Sequence, residues 1–261
     1  MTYFYDYFAK EYRMCRKGAL LPGDVATLQR IPTEDVQQCK RALKNSFAGY
    51  REGRNAEVLK KLLGEYRKYI SGCYARNARD RYNAFVYQYM VEAYVGNRAI
   101  AARLGVSKET VWNYIDKCID EMLMLCMGIP AVANLPKDGI AMVRVLLNGS
   151  RLFSLMAGDY VFCLFPGRKE QATVKQGRQI TNSIIGKLSE AVEAYSEYCN
   201  DKHTQIDTNI RKAEILEKCL AGIPPAAIAK EYGCCEGTIY LDIRENEKRL
   251  SAMLFGIEDK G

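Results

Sequence analysis

A short pattern of residues occurs twice in this chain. The first copy reads RAIAARLGVSKETVWNYID at 98–116, and the second reads AAIAKEYGCCEGTIYLDIR at 226–244. The two copies stay 128 positions apart, without a gap, as far as the Gly-Ile pairs at 128–129 and 256–257. Because the spacing is kept throughout, the repeat predicts one small supersecondary unit that is built twice.

Each copy contains the residue types that two helices joined by a tight turn require. Aliphatic residues recur at helical spacing, a small residue stands where the helices cross, and a glycine accepts the positive φ of the turn. The first copy supplies these features, with a serine as helix cap, at Ile100, Ala101, Leu104, Gly105, Ser107, Val111 and Ile115. The second copy matches this pattern with Ile228, Ala229, Tyr232, Gly233, Cys234, Ile239 and Ile243. The pattern therefore predicts two helix-turn-helix units.

The turn segments carry a resemblance to a known family. GVSKETV at 105–111 and GCCEGTI at 233–239 resemble the G-[IV]-S-x-x-T-[VI] signature of helix-turn-helix units in sigma-70 region 4. They are also similar to the corresponding unit of ArpU-type phage late-gene transcription regulators. The resemblance covers the two copies and leaves well over half the chain unassigned. It implies binding to double-stranded DNA, with the second helix of a unit in the major groove.

In the first copy, the resemblance implies roles for individual side chains. Asn113 is suited to bond an adenine, and Lys108 to reach a guanine or a phosphate. Arg98 and Arg103 are placed to hold the DNA backbone. Trp112 either contacts a thymine methyl group or packs against a neighbouring helix. The candidate DNA-binding residues of this copy are Arg98, Arg103, Ser107, Lys108, Glu109, Thr110, Trp112, Asn113 and Lys117, with Asp116 also on the groove-facing side.

The second copy departs further from the signature. Cys235 is a poor helix cap, and Glu231 stands where the first copy has Arg103. Repulsion of phosphate by Glu231, and by Glu245 and Glu247 further along, predicts weaker DNA binding. The alternative is a copy that is kept for packing or pairing. The weaker candidate residues of this copy are Cys235, Glu236, Thr238, Tyr240, Leu241 and Arg244.

Charge is unevenly distributed along the chain. Residues 1–104 hold 19 Lys and Arg against 10 Asp and Glu, whereas residues 105–261 hold 19 against 21. A basic excess of this kind favours a polyanion as partner, although solvated helix faces are an alternative explanation. The excess lies in the part of the chain that includes the start of the first copy.

Helical periodicity dominates the chain and predicts an all-α fold, with two helix-turn-helix units joined by a helical spacer. The predicted domains are a basic helical segment 1–130 ending in the first unit at about 96–129, an apolar connector 131–168, and a segment 169–261 with a long helix and the second unit at about 213–257. The connector fits two short helices or a strand pair that turns at Asn148-Gly149, and helices are favoured. The tails 121–129 and 248–257 either contact each other or pack into their own cores.

Catalytic, metal-binding and membrane signals are missing from the sequence. Phosphate-loop, dinucleotide-binding and nucleophile-elbow motifs are absent, and His203 is the single histidine. The ten cysteines are scattered and fit reduced, apolar packing residues. We therefore expect no enzyme activity, no cofactor and no metal. Without a membrane-spanning run or the apolar block of a secretory signal, a cytoplasmic protein is expected.

The sequence thus predicts a phage or bacterial protein that binds specific DNA sites and regulates transcription. Its expected partner is double-stranded DNA, and RNA polymerase and a second copy of the chain are further candidates. A non-catalytic protein–protein adaptor is the alternative from a different class. A DNA-recognition subunit of a recombination or packaging complex is a third possibility.

Overall fold

The structure is a computed structural model that describes residues 27–28, 30–73, 77–132, 135–136, 138–200 and 207–255. Within these residues the ordered elements are helical and no strand is present, so the predicted all-α fold is confirmed. The α-helices are α1 Thr33–Ala48, α2 Ala56–Ser71, α3 Ala78–Tyr89, α4 Asn97–Leu104, α5 Lys108–Met127, α6 Gly139–Ser154, α7 Arg168–Asn200, α8 Asp207–Leu220, α9 Pro225–Tyr232 and α10 Glu236–Phe255. Short 3₁₀ helices lie at Tyr50–Glu52, Ile129–Ala131 and Asp159–Leu164.

The apolar segment after residue 130 is helical. Asp138 starts α6, because its carboxylate accepts hydrogen bonds from the backbone N–H groups of Ile140 and Ala141 at 3.0 and 3.1 Å. Asn148 and Gly149 lie inside α6 and make no turn there. The alternative of a strand pair in this segment is therefore wrong, and the helical interpretation is confirmed.

The chain divides into two compact units. The first unit holds the described residues of 30–133 and 152–181, and the second holds the described residues of 1–29, 134–151 and 182–261. The boundaries fall within α6 and α7, so each of these helices contributes residues to both units. The predicted division into 1–130, 131–168 and 169–261 assigns whole segments of sequence instead, and it stays a prediction.

The first unit is built around α5. The last two turns of this helix are buried on nearly all sides, and its neighbours include α1, α2 and α3. Tyr66 of α2 donates a hydrogen bond to the Glu121 carboxylate at 2.6 Å, and the Arg81 guanidinium lies 3.3 Å from the same carboxylate. Burial raises the pKa of Tyr66 far above its usual range, which keeps the hydroxyl a donor. The carboxylate is thus buried with a cation and a hydroxyl as partners.

The two tails each pack against helices of their own unit. In the first unit, the Ile129 N–H donates to Thr181 Oγ1 at 2.9 Å, just after α5 ends at Gly128. In the second unit, the end of α10 lies against the start of α6: a Cβ atom on Gly139 would be 2.5 Å from Ser251 Oγ. Gly256 and Ile257 lie outside the described residues.

In the part of the chain that the structure covers, no helix combines the length and apolar character that a membrane span requires.

Candidate nucleic-acid interface

The first copy of the repeat forms a pair of helices, α4 and α5, which we call the first helix pair. Gly105 ends α4 with φ 66° and ψ 33°, a left-handed conformation that glycine adopts without steric cost. The Val106 N–H donates to the Ala101 carbonyl at 3.1 Å and closes the turn. Ile100 and Val111 are fully buried, so the pair is fixed by its apolar inner face.

The second copy forms the same arrangement in α9 and α10, the second helix pair. Gly233 has φ 62° and ψ 29°, and the Cys234 N–H donates to the Ala229 carbonyl at 3.1 Å. Both pairs join a helix of 8 residues to one of 20. Ile228 and Ile239 are fully buried, as Ile100 and Val111 are in the first pair. The sequence repeat is therefore a repeat of local backbone structure.

The two pairs differ where the longer helix begins. Ser107 Oγ accepts a hydrogen bond from the Thr110 N–H at 3.0 Å, which is the predicted N-cap. In the second pair, Cys235 Sγ lies 3.3 Å from Thr238 Oγ1, and the Thr238 N–H bonds the Cys235 carbonyl instead. Hydrogen bonds from the Thr238 side chain and backbone lower the pKa of the exposed Cys235 thiol. A sulfur is a weaker acceptor than a hydroxyl oxygen, so α10 has the weaker cap.

Substitutions at these two cap positions should change the free energy of unfolding in opposite directions. We expect Ser107→Ala to lower the free energy of unfolding by about 1 kcal/mol, because the Thr110 N–H loses its acceptor. We expect Cys235→Ser to raise it by a smaller amount. Urea denaturation followed by circular dichroism measures both. If Ser107→Ala leaves the free energy of unfolding unchanged or raises it, the serine cap does not stabilise the chain.

The predicted DNA-binding residues of the first pair lie on its outer side. Thr110 is half-buried, with its hydroxyl 2.9 Å from Ser107 Oγ, and the remaining candidates are exposed: Arg98, Arg103, Ser107, Lys108, Glu109, Trp112, Asn113 and Lys117. The Arg103 guanidinium stacks 5.2 Å from the centroid of the Tyr87 ring, which restricts its position. The structure thus brings the predicted residues together around the start of α5.

Trp112 is neither buried against a helix nor without contact. Its side chain is 50% exposed, and the Lys44 ammonium lies 5.7 Å from the ring centroid. A large exposed indole next to a cation is free to contact a further partner. Packing within the chain therefore covers only about half of the surface of Trp112.

Helix α1 contributes two lysines to this surface, which the sequence did not predict. Lys40 lies 2.8 Å from Asp116 and 2.7 Å from Asp120, and Lys44 is one helical turn further along. Burial lowers the pKa of Lys40, but the hydrogen bonds to the two aspartates outweigh it and raise the pKa overall. The acidic side of α5 is therefore neutralised by α1. The four-residue spacing of the lysines was the available signal.

Four of the five carboxylates of the second pair are also neutralised, and Glu236 is the one that forms no ion pair among the described residues. The other four each have a cationic partner within 3.0 Å: Glu231 with Lys218, Asp242 with Arg211, Glu245 with Lys212 and Arg249, and Glu247 with Arg144. Repulsion of phosphate by these groups is consequently weaker than the sequence suggests. The sequence could not show this, because the partners lie on other helices.

What remains different is the outer surface of the longer helix. Lys108 corresponds to Glu236, and Asn113 corresponds to Leu241. Tyr240 is 53% exposed and Leu241 is 66% exposed. The other predicted residues of the second pair are also outward, Cys235, Glu236 and Arg244 being exposed and Thr238 half-buried. The second surface therefore offers apolar area where the first offers hydrogen-bond donors.

Neither a metal cluster nor a disulfide is present among the residues that the structure describes. No group of three His, Cys, Asp or Glu side chains is close enough to hold a metal ion. The described cysteines are free, and burial raises the pKa values of the Cys39 and Cys118 thiols to about 12. His203 lies outside the described residues.

Comparison of the chain with protein-family models, with curated proteins and with solved structures gave no match. The resemblance to sigma-70 region 4 therefore stays a prediction that rests on the residues of the two copies.

Proposed function

We propose that the chain is a sequence-specific DNA-binding protein of a phage or bacterium that regulates transcription in the cytoplasm. In this proposal the two helix pairs are region-4-like helix-turn-helix units, and α5 enters the major groove. One observation supports it most strongly: Lys108 and Asn113 are exposed at the start of a helix whose inner face is fully buried. A rigid helix with hydrogen-bonding side chains at its N-terminal end is what base reading requires.

In this proposal, cationic side chains around α5 bind the DNA phosphates. Arg98 on α4 and Lys117 on α5 are exposed cations, and Lys44 adds a third from α1 beside Trp112. Arg103, stacked on Tyr87, presents its guanidinium from a restricted position. The N-terminus of α5 also carries the partial positive charge of the helix dipole. These groups fix orientation on the duplex, while Lys108 and Asn113 supply the sequence preference.

The second helix pair has a lesser role in this proposal. It lacks counterparts of Arg98, Arg103, Lys108 and Asn113, and Ala226, Glu231, Glu236 and Leu241 stand at those positions. It reads a second half-site weakly, or it contacts RNA polymerase or another subunit. The proposed activity is occupancy of DNA near a promoter, which requires no catalytic group and no cofactor.

Salt dependence of DNA binding tests the proposal. Fluorescence anisotropy of a labelled duplex measures affinity across a salt series. If about four phosphates are neutralised, the slope of log K against log salt is about −3.6, and affinity falls roughly 100-fold between 50 and 200 mM salt. Absence of binding at the lowest salt would contradict the proposal. A flat salt dependence would do the same.

A protein–protein adaptor is the second candidate function. It is favoured by Tyr240 and Leu241, two large side chains that are more than half exposed on one helix. Exposed apolar side chains that lie together mark interaction sites more often than isolated ones do. An adaptor predicts binding that persists at high salt and does not require duplex DNA.

A further inference from the structure

One stripe of α10 has no partner among the described residues. Glu236, Tyr240 and Arg244 recur every four residues, so they lie on one side of the helix, with Leu241 beside Tyr240. Every other carboxylate on α10 forms an ion pair within the second unit, whereas Glu236 and Arg244 form none that the structure describes. The exposed stripe therefore has an acid at one end, a base at the other and apolar area between them.

We propose that this stripe, formed by Glu236, Tyr240, Leu241 and Arg244, binds the same stripe of a second copy of the chain. The two helices run antiparallel about a two-fold axis near Tyr240. A two-fold interface brings a residue at one end of a stripe opposite the residue at the other end. Glu236 of each copy then faces Arg244 of the other, and the two ion pairs so formed are about 12 Å apart along the helix. The surface is complementary to itself in charge.

The centre of the stripe is suited to close contact. Gly237, one turn before Leu241, has no side chain, and a Cβ atom there would meet only Cys235 Sγ, at 3.7 Å. Because Gly237 adds no side chain, the second helix can approach this side of the stripe closely. The tyrosine and leucine side chains of both copies bury their exposed area against each other, and the two ion pairs flank them.

The corresponding stripe of the first helix pair is not available for the same contact. It consists of Lys108, Trp112 and Asp116, again with opposite charges at its ends. Asp116, however, is already paired with Lys40 at 2.8 Å. The charge at that end is compensated within the chain, so the stripe has no free carboxylate for a second copy. Glu236 and Arg244 of α10 are unpaired among the described residues, so the second pair provides the interface.

The expected dimer dissociates on dilution. One helix face buries less than the roughly 800 Å² per partner of a standard interface, so its affinity should be modest. Dimerisation through α10 does not rest on the proposed DNA binding. Because the assay contains no DNA, its failure would leave the proposed function standing.

Charge exchange tests the interface with the full-length chain. Sedimentation velocity of the native chain over a concentration series should show a monomer–dimer equilibrium. Glu236→Arg and Arg244→Glu should each weaken self-association at least about tenfold, because each places like charges opposite each other. An equimolar mixture of the two variants should dimerise again, since every contact then joins opposite charges. Lys230→Glu, an exposed charge change on α9 and outside the stripe, is the matched control and should leave the equilibrium unchanged.

Three results would overturn the proposal. The first is a native chain that is monomeric at all concentrations. The second is a mixture of the two variants that stays monomeric although circular dichroism shows both to be folded. The third is a pair of variants that keep native self-association and instead lose affinity for duplex DNA, since the stripe would then be a nucleic-acid contact.

Discussion

A chain carrying both Lys108→Ala and Asn113→Ala should bind a duplex with one half-site about 100-fold more weakly than the native chain. Each good side-chain contact to a base edge contributes about 1–3 kcal/mol of discrimination, and about 1.4 kcal/mol corresponds to a tenfold change in affinity. Both side chains are exposed at the start of α5, and among the described residues neither has a partner that its loss would disturb. Fluorescence anisotropy at fixed salt measures the loss. Circular dichroism checks that the variant is folded.

The matched controls lie at the corresponding positions of the second helix pair. Glu236→Ala and Leu241→Ala change the residues 128 positions further along, which are also exposed. A duplex with a single half-site removes any contribution from pairing of two copies, so these variants should keep nearly native affinity. Equal losses in both sets would mean that the two helix pairs contact DNA alike, contrary to the asymmetry between their surfaces.

The second large effect is expected at Gly128, where α5 ends. This residue has φ 78° and ψ −145°, which only glycine adopts readily. A Cβ atom there would lie 2.0 Å from Thr181 Oγ1, and that buried hydroxyl also accepts from the Ile129 N–H. We expect Gly128→Ala to lower the free energy of unfolding by about 3 kcal/mol or more, from strain and overpacking together.

Gly105→Ala is the control for Gly128→Ala. Gly105 also has a positive φ, 66°, but no atom lies within 4 Å of the position of its Cβ. Its substitution should cost only the backbone term, about 1–2 kcal/mol. Urea denaturation compares the two variants. If both variants lose the same stability, overlap of the added Cβ atom at position 128 with Thr181 contributes nothing to the loss.

The sequence predicted those parts of the fold that depend on local pattern. Val36, Cys39, Leu43 and Phe47 recur at helical spacing in the sequence, and they form the buried face of α1. Gly105 and Gly233 adopt the left-handed conformation that the repeat required. These features follow from neighbours within one or two helical turns, so a single sequence contains the necessary information.

The sequence did not reveal contacts between residues that are far apart along the chain. The contact of Lys40 with Asp116 joins residues 76 positions apart, and that of Arg144 with Glu247 joins residues 103 apart. Spacing along one helix does not reveal which helix will pack against it. The sequence therefore overstated the acidity of the second helix pair and gave no role to α1 beside Trp112.

In the connector, residues 131–168, a local turn signal conflicts with the helix that forms. Asn148-Gly149 is a common turn signal, yet both residues lie inside α6. Burial of Met142, Val143, Leu146 and Leu147 on one face supplies the stability that overrides the local preference. In this segment the amphipathic helix therefore prevails over the turn dipeptide.

Selection of bound duplexes from a random pool by the native chain tests most directly whether base reading is concentrated in the first helix pair. We expect the native chain and the Leu241→Ala variant to enrich the same half-site, and the Lys108→Ala and Asn113→Ala double variant to enrich none. A half-site that survives the double substitution but is lost or altered in the Leu241→Ala variant would contradict the assignment of base reading to α5.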